Sequence, residues 1–333
     1  MTSRGVRIGL LGATGALGSE VLAALDASPL RIAEIVPVAS DASLGEGIEF
    51  QGEDFAVRAE TPSLLGLDLV FCCAPPDPSL VWVREALRAE VPCIDCSGAL
   101  AGSAEVPLRV AALAPPPEAE GAPVIATPDA ALLAWALVLA PLQRAAGLRR
   151  VVGTVLESAA AAGREGIAAL SSESLALFNQ REAPDPVAFG RPLAFDCHPT
   201  LEPPDEDGHA PRERALERGL SRLLGAPVEV AATVAQVPSF VGQAASLALE
   251  LERPLDPKEA EDHLAQAPSV ELWTLGGVGP NLRAAAGREV VIVGRVRSDP
   301  STPHGLLLWI AADALRMTAE NAVALAVARL QSH

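Results

Sequence analysis

Apolar positions in the first part of the chain fall into short runs, set apart by turns and by stretches with helical spacing. Ile8–Leu11 is an apolar run that predicts a buried strand, and Glu20-Val-Leu-Ala-Ala-Leu-Asp26 carries the spacing of a helix. Gly12, Gly15 and Gly18 punctuate the connection. Strand, glycine turn and helix together predict the first βα unit of a dinucleotide-binding fold. Gly12 permits the tight turn, Gly15 lets backbone N–H groups approach a pyrophosphate, and Gly18 lets the helix pack on the strand. Three glycines alone are weak evidence, and the flanking elements supply the context. A glycine-rich turn without a ligand is the plainer alternative.

The alternation continues. Ile32–Ala39 predicts the second strand, weakened by Pro37. Ser40 and Asp41 follow where an adenine ribose would lie. A carboxylate there suits the 2′-OH of NAD, whereas a 2′-phosphate wants an arginine; an Asp in a strand-end loop is equally ordinary. Strands are expected at Asp68–Ala74, Pro92–Cys96 and Val124–Ala126, and helices at Pro78–Arg88 and Leu132–Ala146. The pattern then changes. Arg149–Leu156 predicts a strand and Gly166–Gln180 a helix, and the charged, proline-rich stretches Arg181–Pro192 and Pro203–Arg214 predict long surface loops. Val228–Val237 and Ala244–Leu251 read as strands of a mixed sheet, Pro257–Ala265 as a short helix, and Val290–Arg297 with Leu306–Ile310 as an antiparallel pair. Asp313–Leu330 reads as a long amphipathic helix. The fold class is α/β. Residues 1–130, with a C-terminal helix over 313–331, are expected to form an NAD(P)-binding Rossmann domain, and 131–312 a central α+β domain.

Composition narrows the function. Half of the 333 residues are hydrophobic, but only 3% are aromatic and none is tyrosine, so Ala, Leu and Val must build the core. A formal charge of −17 argues against nucleic acid and anionic membranes as partners. No apolar segment is long enough to span a bilayer, and no secretory leader is expected, which points to the cytoplasm. Cys72, Cys73, Cys93, Cys96 and Cys197 are then reduced thiols. Cys93 and Cys96 lack the second pair or the histidines of a zinc site, so no metal is expected.

Several stretches together resemble the aspartate-semialdehyde dehydrogenase family along essentially the whole chain. They are Gly12-Ala-Thr-Gly-Ala-Leu-Gly18, Asp95-Cys-Ser-Gly-Ala99 with Val106-Pro-Leu108, Ile125-Ala-Thr-Pro-Asp129, Gly163-Arg-Glu-Gly-Ile167, Glu252-Arg-Pro-Leu255, Val293-Gly-Arg-Val-Arg297 and Leu308-Trp-Ile310. The resemblance implies a homodimer and reversible, NADPH-linked reductive dephosphorylation of β-aspartyl phosphate. A cysteine thiolate would attack the acyl group and a histidine would act as acid and base, while arginines would hold phosphate and carboxylate.

This chain departs from that pattern where the chemistry lies. The nucleophile position is Ala130 and the acid/base position Gln243. The substrate arginine falls at Gln236, the phosphate arginine at Ala101 and a substrate-side glutamine at Glu157. The arginine beside a 2′-phosphate falls at Ala42, and a Gly-Gly pair near the nicotinamide falls at Ala74-Pro75. No catalytic position is intact. The chain is therefore similar to the noncatalytic, usg-type branch, with NAD or NADP as a possible ligand on Gly12, Thr14, Gly15, Ala16, Leu17, Gly18, Ser40 and Asp41. A possible small-molecule ligand or an active paralogue as partner stays open. The alternative is an active NAD(P)-dependent oxidoreductase of amino-acid biosynthesis with altered chemistry, using Asp129 or Glu157 as donor. Cys96, and Cys197 beside His198, are the candidates for a relocated nucleophile, although small buried side chains are the simpler expectation for both cysteines. Adjacent strand residues face opposite sides, so Cys197 and His198 cannot form a dyad.

Overall fold

The computed structural model describes residues 5–40, 43, 45, 47–59, 63–114, 121–182, 185, 188–200, 202–274 and 279–331. The chain forms two compact units, Met1–Asp129 with Thr318–His333, and Ala130–Met317.

The first unit opens with β1 (Val6–Leu11), α1 (Ala16–Ala27) and β2 (Ile32–Val38). A hairpin follows, β3 (Gly47–Phe50) with β4 (Glu53–Ala56), where the apolar pattern gives no strong signal. Then come β5 (Leu69–Cys72), α2 (Pro76–Arg88), β6 (Cys93–Asp95) and β7 (Val124–Ala126). The parallel sheet has the order β2-β1-β5-β6-β7. Pro37 does not break β2, because β2 lies at the edge of this sheet, where a missing N–H costs no ladder bond. Continuous apolar strands such as β5, buried at every position, are what a parallel sheet covered on both faces requires.

The second unit starts with α3 (Ala130–Ala146), buried at every position from Ala131 to Leu142. A helix apolar on all sides belongs in a core, and α3 packs against the sheet and two other helices of its unit. It leads into β8 (Leu148–Glu157), α4 (Gly163–Phe178), the short β9 (His198–Pro199) and α5 (Pro211–Leu224). Next are β10 (Glu229–Gln236), β11 (Gln243–Leu251), α6 (Pro257–Ala265), β12 (Val270–Trp273), the single turn α7 (Leu282–Ala285), β13 (Val291–Asp299) and β14 (Gly305–Ala312). The mixed sheet runs β12-β13-β14-β11-β8-β10-β9, and β13 and β14 form the expected antiparallel pair.

Two expectations are corrected. The stretch read as a surface loop through Arg214 contains the first turn of α5. Proline at the first helical position, Glu213 accepting from the Ala210 N–H at 2.8 Å, and Gly225 in the left-handed region at the end define that helix. The final helix, α8 (Ala314–Gln331), is buried around most of its circumference and is not a simple amphipathic stripe. Its Asn321 holds the 109–111 segment, accepting from Ala111 N–H at 2.8 Å and donating to the Arg109 carbonyl at 3.2 Å. Among the described residues no helix is long and apolar enough to cross a membrane.

Candidate functional site

In the first unit the glycine turn sits between β1 and α1. Gly12 has φ +81°, and a Cβ there would lie 2.7 Å from the Ala74 nitrogen. A Cβ on Gly18 would run into the Gly12 carbonyl oxygen, so Gly18 packs the helix on the turn itself and not on the strand. Gly15 is different. Its N–H donates to the Gly12 carbonyl at 3.0 Å, and a Cβ there would meet only that carbonyl oxygen, at 3.2 Å. It is the N-cap of α1 without any side-chain cap, so the first-turn N–H groups at Ala16, Leu17 and Gly18 are offered to an anion. The Thr14 and Ser43 hydroxyls lie 3.0 Å apart, and exposed Ser40 accepts the Ser43 N–H at 2.9 Å. Asp41 and Ala42 lie outside the described residues. The backbone thus fits a pyrophosphate.

Asp95, fully buried at the end of β6, accepts from the Ser97 N–H (3.0 Å), the Ser97 hydroxyl (2.5 Å) and the Leu100 N–H (2.9 Å). This staples the loop that ends at Ala101, whose methyl offers no charge to a phosphate. Ala74 accepts the Ser79 hydroxyl at 2.9 Å, and Pro75 is the N-cap of α2. The thiols of Cys72 and Cys93 are 3.6 Å apart in the core. The hydrogen bond with Cys93 and burial push the Cys72 thiol well up, and Cys96 with burial does the same to Cys73. Thiols held protonated are poor nucleophiles. The expectation of small buried side chains fails for Cys197, which is exposed, and only half describes Cys96, which is half-buried; His198 faces the other way, is buried, and is bonded through Nε2 to the Pro192 carbonyl at 2.7 Å. Among the described residues no group of three or more His, Cys, Asp or Glu could hold a metal ion.

The second unit brings four residues singled out in the sequence into one row. Register pairs His198 with Gln236, Gln236 with Glu157, and Glu157 with Gln243. Partners directly across a sheet share a face, and all four are buried. Gln236 donates from Nε2 to the Glu157 carbonyl at 3.0 Å, and Gln243 donates from Nε2 to the Ala130 carbonyl at 2.8 Å. Gln243 therefore ties the start of α3 to the sheet.

Glu157 also reaches a residue the pattern of the sequence missed. Its Oε2 lies 2.5 Å from Nη1 of Arg212, in the first turn of α5, and Glu202 Oε1 lies 3.6 Å from Nε of the same guanidinium. These groups line a cavity of about 240 Å³ with Gln236, Thr200, Val234 and the alanines 161, 162 and 188. The signal that could have found Arg212 was Pro211 and Glu213 ahead of the helically spaced leucines 216, 220, 223 and 224.

Residues 7–120 match the semialdehyde dehydrogenase NAD binding domain, and residues 139–317 match the semialdehyde dehydrogenase dimerisation domain. The chain belongs to the aspartate-semialdehyde dehydrogenase family. Within it, the chain is 31% identical to the USG-1 protein homolog of Azotobacter vinelandii and 29% identical to the aspartate-semialdehyde dehydrogenase of Aquifex aeolicus, each over 97% of both chains. The crystal structure of aspartate semialdehyde dehydrogenase II from Vibrio cholerae superposes with a TM-score of 0.94, at 28% identity, covering 99% of this chain and all of that one. The family match supports a nucleotide-binding first domain and a homodimer built on the second.

Proposed function

We propose that this member of the aspartate-semialdehyde dehydrogenase family is a noncatalytic homodimeric binding protein. It keeps a cleft for NAD or NADP and does not carry out phosphorylating semialdehyde oxidation. One observation carries the reading: the side chain at the acid/base position, Gln243, is a strut bonded to the backbone of the nucleophile position, Ala130. A methyl group cannot form a thioester, and a carboxamide does not exchange protons near neutral pH. Loss of a nucleophile alone typically costs on the order of 10⁶ in rate. Glu157, the alternative donor, has its carboxylate committed to Arg212.

In this reading Gly12, Thr14, Gly15, Ala16, Leu17 and Gly18 hold the pyrophosphate and Ser40 and Asp41 the ribose. A bound nicotinamide would supply hydride chemistry, and the residues of this chain would bind and orient it. The deciding test is phosphate-dependent reduction of NADP⁺ and NAD⁺ with aspartate semialdehyde, on native protein beside Ala130→Cys. The expected native rate equals that of an unrelated control protein. The variant is expected to stay near background too, because Gln243 supplies no base. A native rate clearly above the control would overturn the proposal.

A further inference from the structure

We propose that the cavity beside β8 and β10 binds a small organic cation, a primary ammonium or short diamine, and excludes anions. The inference rests on the reading above that this chain binds without reacting, and it names a ligand class for the second unit. The cavity holds about 240 Å³, the space of about eight waters at roughly 30 Å³ each. Among its described lining residues are two carboxylates, Glu157 and Glu202, and one guanidinium, Arg212. Both carboxylates lean on that guanidinium, and Glu202 also accepts the Arg212 backbone N–H at 3.3 Å. Among the described lining residues, two carboxylates thus stand against one guanidinium.

The neutral groups act in the same direction. Gln236 is only 3% exposed and spends its amide N–H on the Glu157 carbonyl. Gln236 is one of the lining residues, and among the described residues no group donates to its amide oxygen. Thr200 Oγ1 accepts the Glu202 N–H at 3.1 Å. Besides the Arg212 guanidinium and the Thr200 hydroxyl, the polar side chains of the described lining present carboxylate and amide oxygens as acceptors, which suit an ammonium with its three N–H groups and no acceptor. Ala161, Ala162 and Val234 give an apolar flank for a methylene spacer. An anion must instead take Arg212 from a carboxylate, leaving that carboxylate buried without its partner.

The test is calorimetric titration of the full chain, at low salt, with 1,4-diaminobutane, 1,4-butanediol and succinate. The diamine is expected to saturate and to bind at least tenfold more tightly than the diol, and succinate to give no saturation. A chain with 42 acidic residues and a formal charge of −17 attracts cations by itself, so Glu202→Gln is compared with Asp207→Asn, whose side chain is exposed. Glu202→Gln is expected to weaken the diamine at least tenfold and Asp207→Asn less than twofold. Diamine binding unchanged by Glu202→Gln, equal binding of diol or succinate, or no binding at all overturns the proposal. Should Glu202→Gln fail to fold, the side-chain amide resonance of Gln236 in the native protein decides: it shifts on adding diamine, or the proposal fails. Turnover of aspartate semialdehyde would defeat the noncatalytic reading whatever the cavity binds. A preference for succinate would defeat only this inference.

Discussion

The glycine turn of the first unit and the polar row of the second have opposite relations between fold and chemistry. At the turn the ligand-facing groups are backbone N–H groups, and the residues that shape them are fixed by space: Gly12 by its φ of +81° and the nearness of Ala74, Gly18 by the Gly12 carbonyl. Such residues cannot change without disturbing the fold. In the row the chemistry belongs to side chains, and the strands do not depend on it. Gln243 and Gln236, the positions proposed to have held an acid/base and a substrate arginine, satisfy backbone carbonyls there. A site made of backbone is held by packing, whereas one made of side chains can change without altering the strands that carry it.

The largest effects are expected at the glycines. Gly18→Val is expected to cost about 3 kcal/mol or more, since the clash is with backbone and cannot be relieved by a rotamer. Gly15→Val places its Cβ 3.2 Å from the Gly12 carbonyl oxygen and meets nothing else within 4 Å, at an extended backbone conformation. It should lower the denaturation midpoint far less than Gly18→Val yet abolish calorimetric binding of NADH and NADPH. Unchanged affinity in Gly15→Val would remove the nucleotide site. A native-like melt of Gly18→Val would show that the turn is not fixed by space.

A smaller effect is expected in the row. Glu157→Gln removes one carboxylate from Arg212, whose side chain is 33% exposed. Breaking a buried pair costs about 3–5 kcal/mol, and partial exposure with Glu202 as a second partner reduces this to about 1–2 kcal/mol. Urea denaturation of Glu157→Gln, Arg212→Gln and the double variant measures the coupling. Additive losses would mean that the pair does not hold α5 against the end of β8.

Legibility in the sequence followed the same division. The βα unit at Gly12–Gly18, strand Val124–Ala126 and helix Pro257–Ala265 could be read from local signals, because apolar runs and turn residues report local geometry. The departures at Ala130, Gln236 and Gln243 were expected from the family resemblance, position by position, and stand as the proposal made above. What the residues at those positions do was not legible: the amide of Gln243 meets Ala130 through a contact between residues far apart in sequence. Arg212 and Glu202 were hidden in a charged, proline-rich stretch whose polarity reads as loop. The hydrophobic pattern of α5 begins only after the residues that enter the cavity.

The smallest predicted effect lies on that same stretch, away from the cavity. Asp205 is lowered to about 2, chiefly by its hydrogen bond to the Arg214 guanidinium and then by the His209 N–H. A folded-state value below the ordinary 3.8 means that the unfolded chain takes up the proton first as pH falls. The stabilising contribution is therefore complete above about pH 4 and is lost as pH falls through about 2. Because the group is on the surface and its partners are screened by salt, the contribution is small. Carboxyl resonances followed by NMR should titrate at about 2 for Asp205, and Arg214→Gln should bring the midpoint back toward 3.8. An ordinary midpoint in the native protein would mean that the arginine does not hold this loop. The polar segment leading into α5 would then rest on its backbone pairing between Asp205 and His209 and on Arg212 and Glu213, which ties the geometry of the cavity more tightly to the ion pair with Glu157.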